Sequence, residues 1–325
     1  MKIVIPGGTG QVGNILARAF HAEGHEVVVL SRGARSRAPW RVERWDAREV
    51  GDWAAEFEGA DAVISLAGRS VNCRYNAANR RAMIESRVDS TRAVGRAVAR
   101  AASPPRAWLQ MSTATIYAHR YDAPNDEATG RIGGDEPGAP DTWRFSVEVA
   151  RAWERAAEEF GAPRTRKVLM RAAMVMSHDR GGVFDTLLKL ARLGLGGRAG
   201  SGRQFVSWIH EDDFVRAVRR LVERDDVSGP VNLAAPQPLP QAEFMRALRA
   251  AWGARVGLPA AGWVLAVGAF LMRTETELIL KSRRVVPGRL LGSGFDFRFP
   301  RWPEAARDLC RRWRAARRGP SAAKH

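Results

Sequence analysis

Ile3-Val-Ile-Pro-Gly7-Gly8-Thr9-Gly10-Gln11-Val12-Gly13 reads as an apolar strand that breaks into a glycine turn and runs on into a helix. Glycines at 7, 10 and 13 give the pattern Gly-x-x-Gly-x-x-Gly. At a strand–helix turn, positions without side chains let the backbone approach a pyrophosphate, and the helix N-terminus offers unpaired amides and partial positive charge. A tight turn needs glycine on steric grounds alone, so the triplet by itself says little. Its place at the head of a strand–helix alternation makes dinucleotide binding the stronger reading. Gly7, Gly8, Thr9, Gly10, Gln11, Val12 and Gly13 are therefore the expected phosphate-side residues.

Outward from this loop, apolar strand-like runs fall at residues 2–5, 26–30, 42–45, 62–66, 107–111 and 167–171. Helical patterns at 11–23, 79–102 and 145–160 lie between them. That order predicts an α/β fold, a doubly wound Rossmann-type parallel sheet covered on both faces. The sheet domain is expected over residues 1–235, with 177–202 contributing to the substrate side. Residues 236–325 are expected to form a smaller C-terminal, substrate-side domain. In such folds the ribose next to the adenine is read at the end of the second strand, about 20 residues past the loop. Here that place holds Leu30-Ser31-Arg32, with Arg35 and Arg37 following. A carboxylate that would accept from two ribose hydroxyls is missing, and an arginine pairs well with a 2′-phosphate. NADP(H) is the expected cofactor.

Composition narrows the alternatives. Two cysteines, Cys73 and Cys310, cannot build a disulfide framework or a four-ligand zinc site, so no metal is expected. The first residues lack a signal-peptide pattern. The longest apolar run, residues 258–272, contains Gly262 and Gly268 and is shorter than the ~20 residues that span a bilayer. It reads as a buried helix; a cytoplasmic protein with no membrane partner is expected. The net charge of +17 comes from arginines scattered along the chain, and only Arg311-Arg-Trp-Arg-Ala-Ala-Arg-Arg318 is concentrated. Without a zinc finger or an aromatic RNA-binding signature, that run reads as a solvated helix end, not a specific nucleic-acid site. The charge favours an anionic small-molecule substrate.

The glycine loop, Leu66-Ala67-Gly68 after the fourth strand and Ser112-Thr113-Ala-Thr-Ile-Tyr117 after the fifth resemble the extended short-chain dehydrogenase/reductases. Ser207-Trp208-Ile209-His210-Glu-Asp-Asp213 and Gly229-Pro-Val-Asn232 look like that group's later landmarks. Val286-Pro-Gly-Arg-Leu-Leu-Gly-Ser-Gly-Phe295-Asp-Phe297-Arg-Phe299-Pro300 is narrower. It resembles an atypical epimerase-like family whose members carry labels such as nucleoside-diphosphate-sugar epimerase or cell division inhibitor. That family ends in a small domain of unknown function. The resemblance implies that Arg32, with Ser31, lies on the adenosine-phosphate side and that Asp46 touches the adenine. It places Leu66, Ala67 and Gly68 where the chain passes the cofactor's ribose, and Thr113 where the superfamily's catalytic hydroxyl sits. It also implies a homodimer built from the helices at 79–102 and 145–160.

One part of that pattern is missing. Such enzymes use a Tyr-x-x-x-Lys pair on the helix after the fifth strand: the tyrosine relays a proton, and the lysine lowers its pKa and holds the nicotinamide ribose. Aligning Trp153-Glu154 with the acidic residue after the pair puts Ser146 and Ala150 at these positions. The only tyrosines are Tyr75, Tyr117 and Tyr121, and no lysine occurs between Lys2 and Lys167. Tyr117 and His210 are the replacement proton donors to consider beside Thr113, with a packing role for either as the plainer reading. Trp143, Arg144, Phe145 and Arg203 are candidates for the substrate side or for loop anchoring. Phe295, Phe297 and Phe299 alternate like a half-buried strand in the core of the small domain. Two functions follow: an NADP(H)-dependent oxidoreductase or epimerase-like enzyme acting on a small molecule, or an NADP(H)-binding sensor that performs no redox chemistry.

Overall fold

The computed structural model describes residues 1–33, 38–260 and 277–318. Arg35, Arg37 and most of the apolar run at 258–272 lie outside the described residues; Leu258, at the start of that run, is exposed. By contacts the chain divides into two units. The first comprises residues 1–118, 131–172 and 215–233; the second comprises 119–130, 173–214 and 234–325. The second unit thus takes in a segment after the fifth strand and another after the sixth, as well as the C-terminal part.

The first unit is built on seven strands: β1 (Lys2–Pro6), β2 (Glu26–Ser31), β3 (Arg41–Arg44), β4 (Ala62–Ser65), β5 (Ala107–Thr113), β6 (Arg166–Ala172) and β10 (Gly229–Leu233). Their order is β10-β6-β5-β4-β1-β2-β3, and every pairing is parallel. Runs such as Val27-Val-Val-Leu30 suit this position, because a strand buried on both faces needs apolar side chains on both. The expected doubly wound parallel sheet is the one observed. β10 extends it by a strand that apolar runs alone did not reveal, since Gly229-Pro-Val-Asn-Leu233 carries only a short apolar stretch.

Helix α1 (Gln11–Ala22) turns Ile15, Leu16 and Phe20 into the core. Helix α2 (Ala77–Arg100) starts where the Asn76 side chain accepts from the Asn79 amide at 2.9 Å. Helix α3 (Asp141–Glu158) packs on α2; a Cβ at Gly95 would lie 2.3 Å from the Phe160 ring just beyond α3, so glycine sets this close approach. The order in which strands are added to the sheet reverses between β1 and β4, and the residues that leave these strands face a crevice at their carboxyl ends.

The second unit contains the parallel pair β7 (Met174–Met176) and β9 (Trp208–His210), and the antiparallel pair β8 (Phe205–Val206) and β11 (Leu239–Pro240). Its core joins Phe184 and Leu188 of α4 (Val183–Arg192), Phe244 and Leu248 of α6 (Gln241–Trp252), and Trp302, Leu309 and Trp313 of α7 (Trp302–Arg318). The 295–299 stretch is not a strand. Phe295 and Phe297 are buried against each other, and the amides of Arg298 and Phe299 donate to Asp213, each at 2.8 Å. A carboxylate takes the place of a neighbouring strand. The arginine-rich end of α7 is only partly solvated: Arg311 and Arg318 are exposed, and the other three arginines are engaged. Arg312 binds Asp212 and Asp308, Arg317 binds Asp185 and lies over Trp313, and Arg314 lies over Trp252.

Candidate functional site

A cleft of about 1000 Å³ opens in the first unit at the carboxyl ends of β1 to β4. Gly7, Thr9 and Gly10 line it from the first turn, Ser31 and Arg32 from the end of β2, Trp45 and Asp46 from the end of β3, and Leu66, Ala67 and Gly68 from the end of β4. Gln11 and Val12 form the first turn of α1, half-buried, and Gly8 and Gly13 are shut inside.

The glycines of this turn answer to different demands. A Cβ at Gly7, whose φ is +77°, would lie 2.6 Å from the Ala67 backbone, and one at Gly13 would lie 2.3 Å from the Gly8 carbonyl. The protein's own packing excludes side chains there. Nothing stands within 4 Å of a Cβ built at Gly10, and the space is continuous with the cleft. Gly10 is also the N-cap of α1, with no side-chain cap and no acidic residue in the first turn. A helix start left bare beside an open glycine is a fit for a phosphate. The Gln11 side-chain nitrogen, buried and without a hydrogen-bond partner among the described residues, adds a donor in need of an acceptor.

At the far side, Arg32 is exposed and makes no ion pair among the described residues, while Ser31 Oγ accepts from the Gly33 amide at 3.2 Å. Asp46 accepts from the amides of Arg48 and Glu49 at 2.8 and 3.0 Å. These bonds hold its carboxyl below the ordinary carboxylate range and fix the turn in which Ala47 adopts φ +66°.

Residues 3–234 match the NAD dependent epimerase/dehydratase family, and residues 260–309 match a domain of unknown function, DUF1731. The chain belongs to the NAD dependent epimerase/dehydratase family. The human epimerase family protein SDR39U1 is 32% identical over 312 residues, covering 95% of this chain and 99% of that protein. Epimerase family protein YfhF of Bacillus subtilis is 28% identical, covering 92% and 94%. The crystal structure of human SDR39U1 (isoform2) with NADPH superposes with a TM-score of 0.82 at 30% identity, covering 96% of this chain and 99% of that one. The resemblance read from the glycine loop and the C-terminal stretch is the family found.

For this member of the epimerase family, the expected reacting groups are placed as follows. Thr113 ends β5, half-buried, and its hydroxyl accepts from the Thr115 amide at 3.2 Å. Tyr117 is 2% exposed, its hydroxyl donating to Asn232 at 2.9 Å and accepting from Arg171 at 3.1 Å. Arg171 also grips Glu154 through two bonds of 2.9 and 2.8 Å, and Ser112 donates to the same carboxylate at 2.6 Å. Burial works against the charge on Arg171, but Glu154 and Tyr117 hold its pKa well above the ordinary value. Helix α3 carries neither tyrosine nor lysine; Ser146 is half-buried and Ala150 fully buried on it.

His210 belongs to the second unit and is wholly buried. Its ring stacks on Phe299 at 3.9 Å, pairs with Asp308 at 3.2 Å, and accepts from the Asp212 amide at 3.0 Å. The imidazole thus meets the start of helix α5 (Glu211–Glu223). Burial pulls its pKa below the ordinary histidine value. Arg144 is tied to the Ala139 carbonyl, Phe145 is buried against Tyr75, and Arg203 is exposed with its guanidinium 6.0 Å from the Tyr121 ring. Among the described residues no cluster of side chains could hold a metal, and no helix is long and apolar enough to cross a membrane.

One residue of interest was missed. Arg87 falls on the buried stripe of α2 with Met83, Ser90, Thr91 and Val94. A charged residue at i+4 from a core methionine is a signal visible in the sequence, since such stripes are ordinarily apolar.

Proposed function

We propose that the cleft binds NADP(H) and that the protein is an oxidoreductase or epimerase-like enzyme acting on a small, anionic molecule. The observation that carries this reading is the pairing of an open Gly10 at a bare helix start with an Arg32, at the end of β2, that is unpaired among the described residues. Gly10 and the first amides of α1 would hold the pyrophosphate, Arg32 and Ser31 the 2′-phosphate, and Ala67 and Gly68 a ribose. The bound dinucleotide would supply hydride chemistry. Thr113 would orient a carbonyl or hydroxyl oxygen, because its hydroxyl accepts from its own loop and keeps its proton to donate. Tyr117 and His210 serve as fixed, buried supports in this reading, which leaves the proton to water or to the substrate itself. A cytoplasmic homodimer paired through α2 and α3 belongs to the same proposal.

The burial of Tyr117 and His210 favours a second reading, an NADP(H)-binding sensor without redox chemistry. Turnover separates the two. Protein saturated with NADPH is incubated with a panel of anionic aldehydes and ketones, and the loss of reduced-nicotinamide absorbance is followed. Saturable oxidation above the protein-free rate, lost in Thr113→Ala with binding retained, supports the enzyme. Tight binding with no turnover of any member, and no exchange of label from deuterated NADPH, supports the sensor.

A further inference from the structure

The first unit holds a cation that its own residues leave largely unanswered. Arg87 is 8% exposed, and among the described residues its guanidinium makes one hydrogen bond, Nη1 to the Met83 carbonyl at 3.0 Å. It lies 4.8 Å over the Trp153 ring and has no carboxylate partner among the described residues. Burial lowers its pKa to about 10, which leaves it charged at neutral pH. Trp153 repeats the shortage: its indole nitrogen is buried with no partner among the described residues. Donors are in excess here and acceptors are missing, a costly arrangement if nothing else completes it.

The place matters as much as the shortage. A Cβ at Gly68 would lie 3.2 Å from Cγ and Cζ of Arg87 and 3.3 Å from its Nε. The side chain therefore lies directly against Gly68, one of the residues that line the cleft. Trp153 is three residues beyond Ala150 on α3, hence on the same helix face. The guanidinium thus lies over a side chain set about one helical turn from the position where a Tyr-x-x-x-Lys pair would put its lysine, and it comes to that side chain from α2.

We propose that Arg87 is a ligand-binding residue that holds the ribose hydroxyls at the reactive end of the dinucleotide, the holding half of the missing lysine's task. The proposal rests on the NADP(H) reading above. It assigns Arg87 no proton transfer. Hydrogen bonds from a charged donor to a neutral diol, made where water is excluded, change affinity by about tenfold or more.

The test is calorimetric titration of the full-length protein with NADPH and with adenosine 2′,5′-bisphosphate, which lacks the reactive-end ribose. Arg87→Met should bind NADPH at least about tenfold more weakly than wild type, bind the bisphosphate equally well, and melt no lower. Arg87→Lys should keep NADPH affinity within about threefold, and Arg87→Gln should lose it as Met does. Should Arg87→Met fail to fold, the Lys and Gln variants decide the matter. Unchanged NADPH binding in Arg87→Met and Arg87→Gln overturns the proposal, as does an equal loss for both ligands. Wild-type protein that binds the bisphosphate and NADPH equally tightly also overturns it. Wild-type protein that binds neither overturns the NADP(H) reading itself, and the proposal falls with it.

Discussion

Two arginines are buried to the same degree in the first unit, and their surroundings are opposite. Arg171 and Arg87 are each 8% exposed. Arg171 faces Glu154 through a bidentate pair, with Tyr117, Ser112 and Asn232 completing the network. Arg87 has a ring and one carbonyl. The first cluster is closed: every polar group named in it is used by another, so it has nothing left to offer a ligand. The second is open, and it lies against a residue of the cleft. Completeness, more than burial, separates a charge that serves the fold from one that awaits something else.

Breaking the closed cluster should have the largest effect. Glu154→Leu leaves Arg171 charged, buried and unpaired, and should lower stability by about 3–5 kcal/mol, seen as an earlier midpoint in urea at unchanged slope. The same measurement on Arg87→Met should show no loss, because an unpaired cation is being replaced by an apolar side chain of similar reach. A comparable loss in both would erase the distinction. Tyr117→Phe should fall between them. It removes the hydroxyl shared by Arg171 and Asn232 and should lower stability by about 1–2 kcal/mol without weakening nucleotide binding.

The smallest effect concerns the second unit and depends on pH. His210 is buried with Asp308, Asp212, Glu211 and Arg312 around it, and its folded pKa lies below the unfolded value near 6.5. The unfolded chain therefore binds a proton that the folded chain refuses. The contribution of His210 is fully present above about pH 6.5 and is lost as pH falls below it, with a slope of at most about 1.4 kcal/mol per pH unit. Melting curves between pH 7.5 and 5.5, about the window set by that pKa, should flatten in His210→Gln. An equally steep fall in the variant would assign the effect to other groups.

The sheet was legible because its cause is local. Apolar runs of β-branched residues alternating with helical stripes admit few arrangements, and the glycine triplet marks where the first strand turns. What the sequence could not show depends on partners far away in the chain. Phe295, Phe297 and Phe299 alternate as a strand does, yet Asp213, more than eighty residues earlier, holds the Arg298 and Phe299 amides in place of a neighbouring strand. The terminal arginines look solvated until Asp185, Asp212 and Asp308 are brought to them. Tyr117 and His210 have the chemistry of proton donors, and their burial and their hydrogen bonds to Asn232, Arg171 and Asp308 could not be read from the sequence. Arg87 lay in plain view on a core-facing stripe, but a charge there becomes informative only once no counter-ion for it is found among the described residues.

The central claim is that the cleft reads the 2′-phosphate through Arg32. Calorimetric titration with NADPH and NADH, on protein stripped of co-purified nucleotide and on an Arg32→Asp variant, tests it most directly. The wild type should prefer NADPH by at least about tenfold, and the variant should lose that preference as NADH binding rises. Equal affinity for the two nucleotides in the wild type, or no binding of either, would contradict the account.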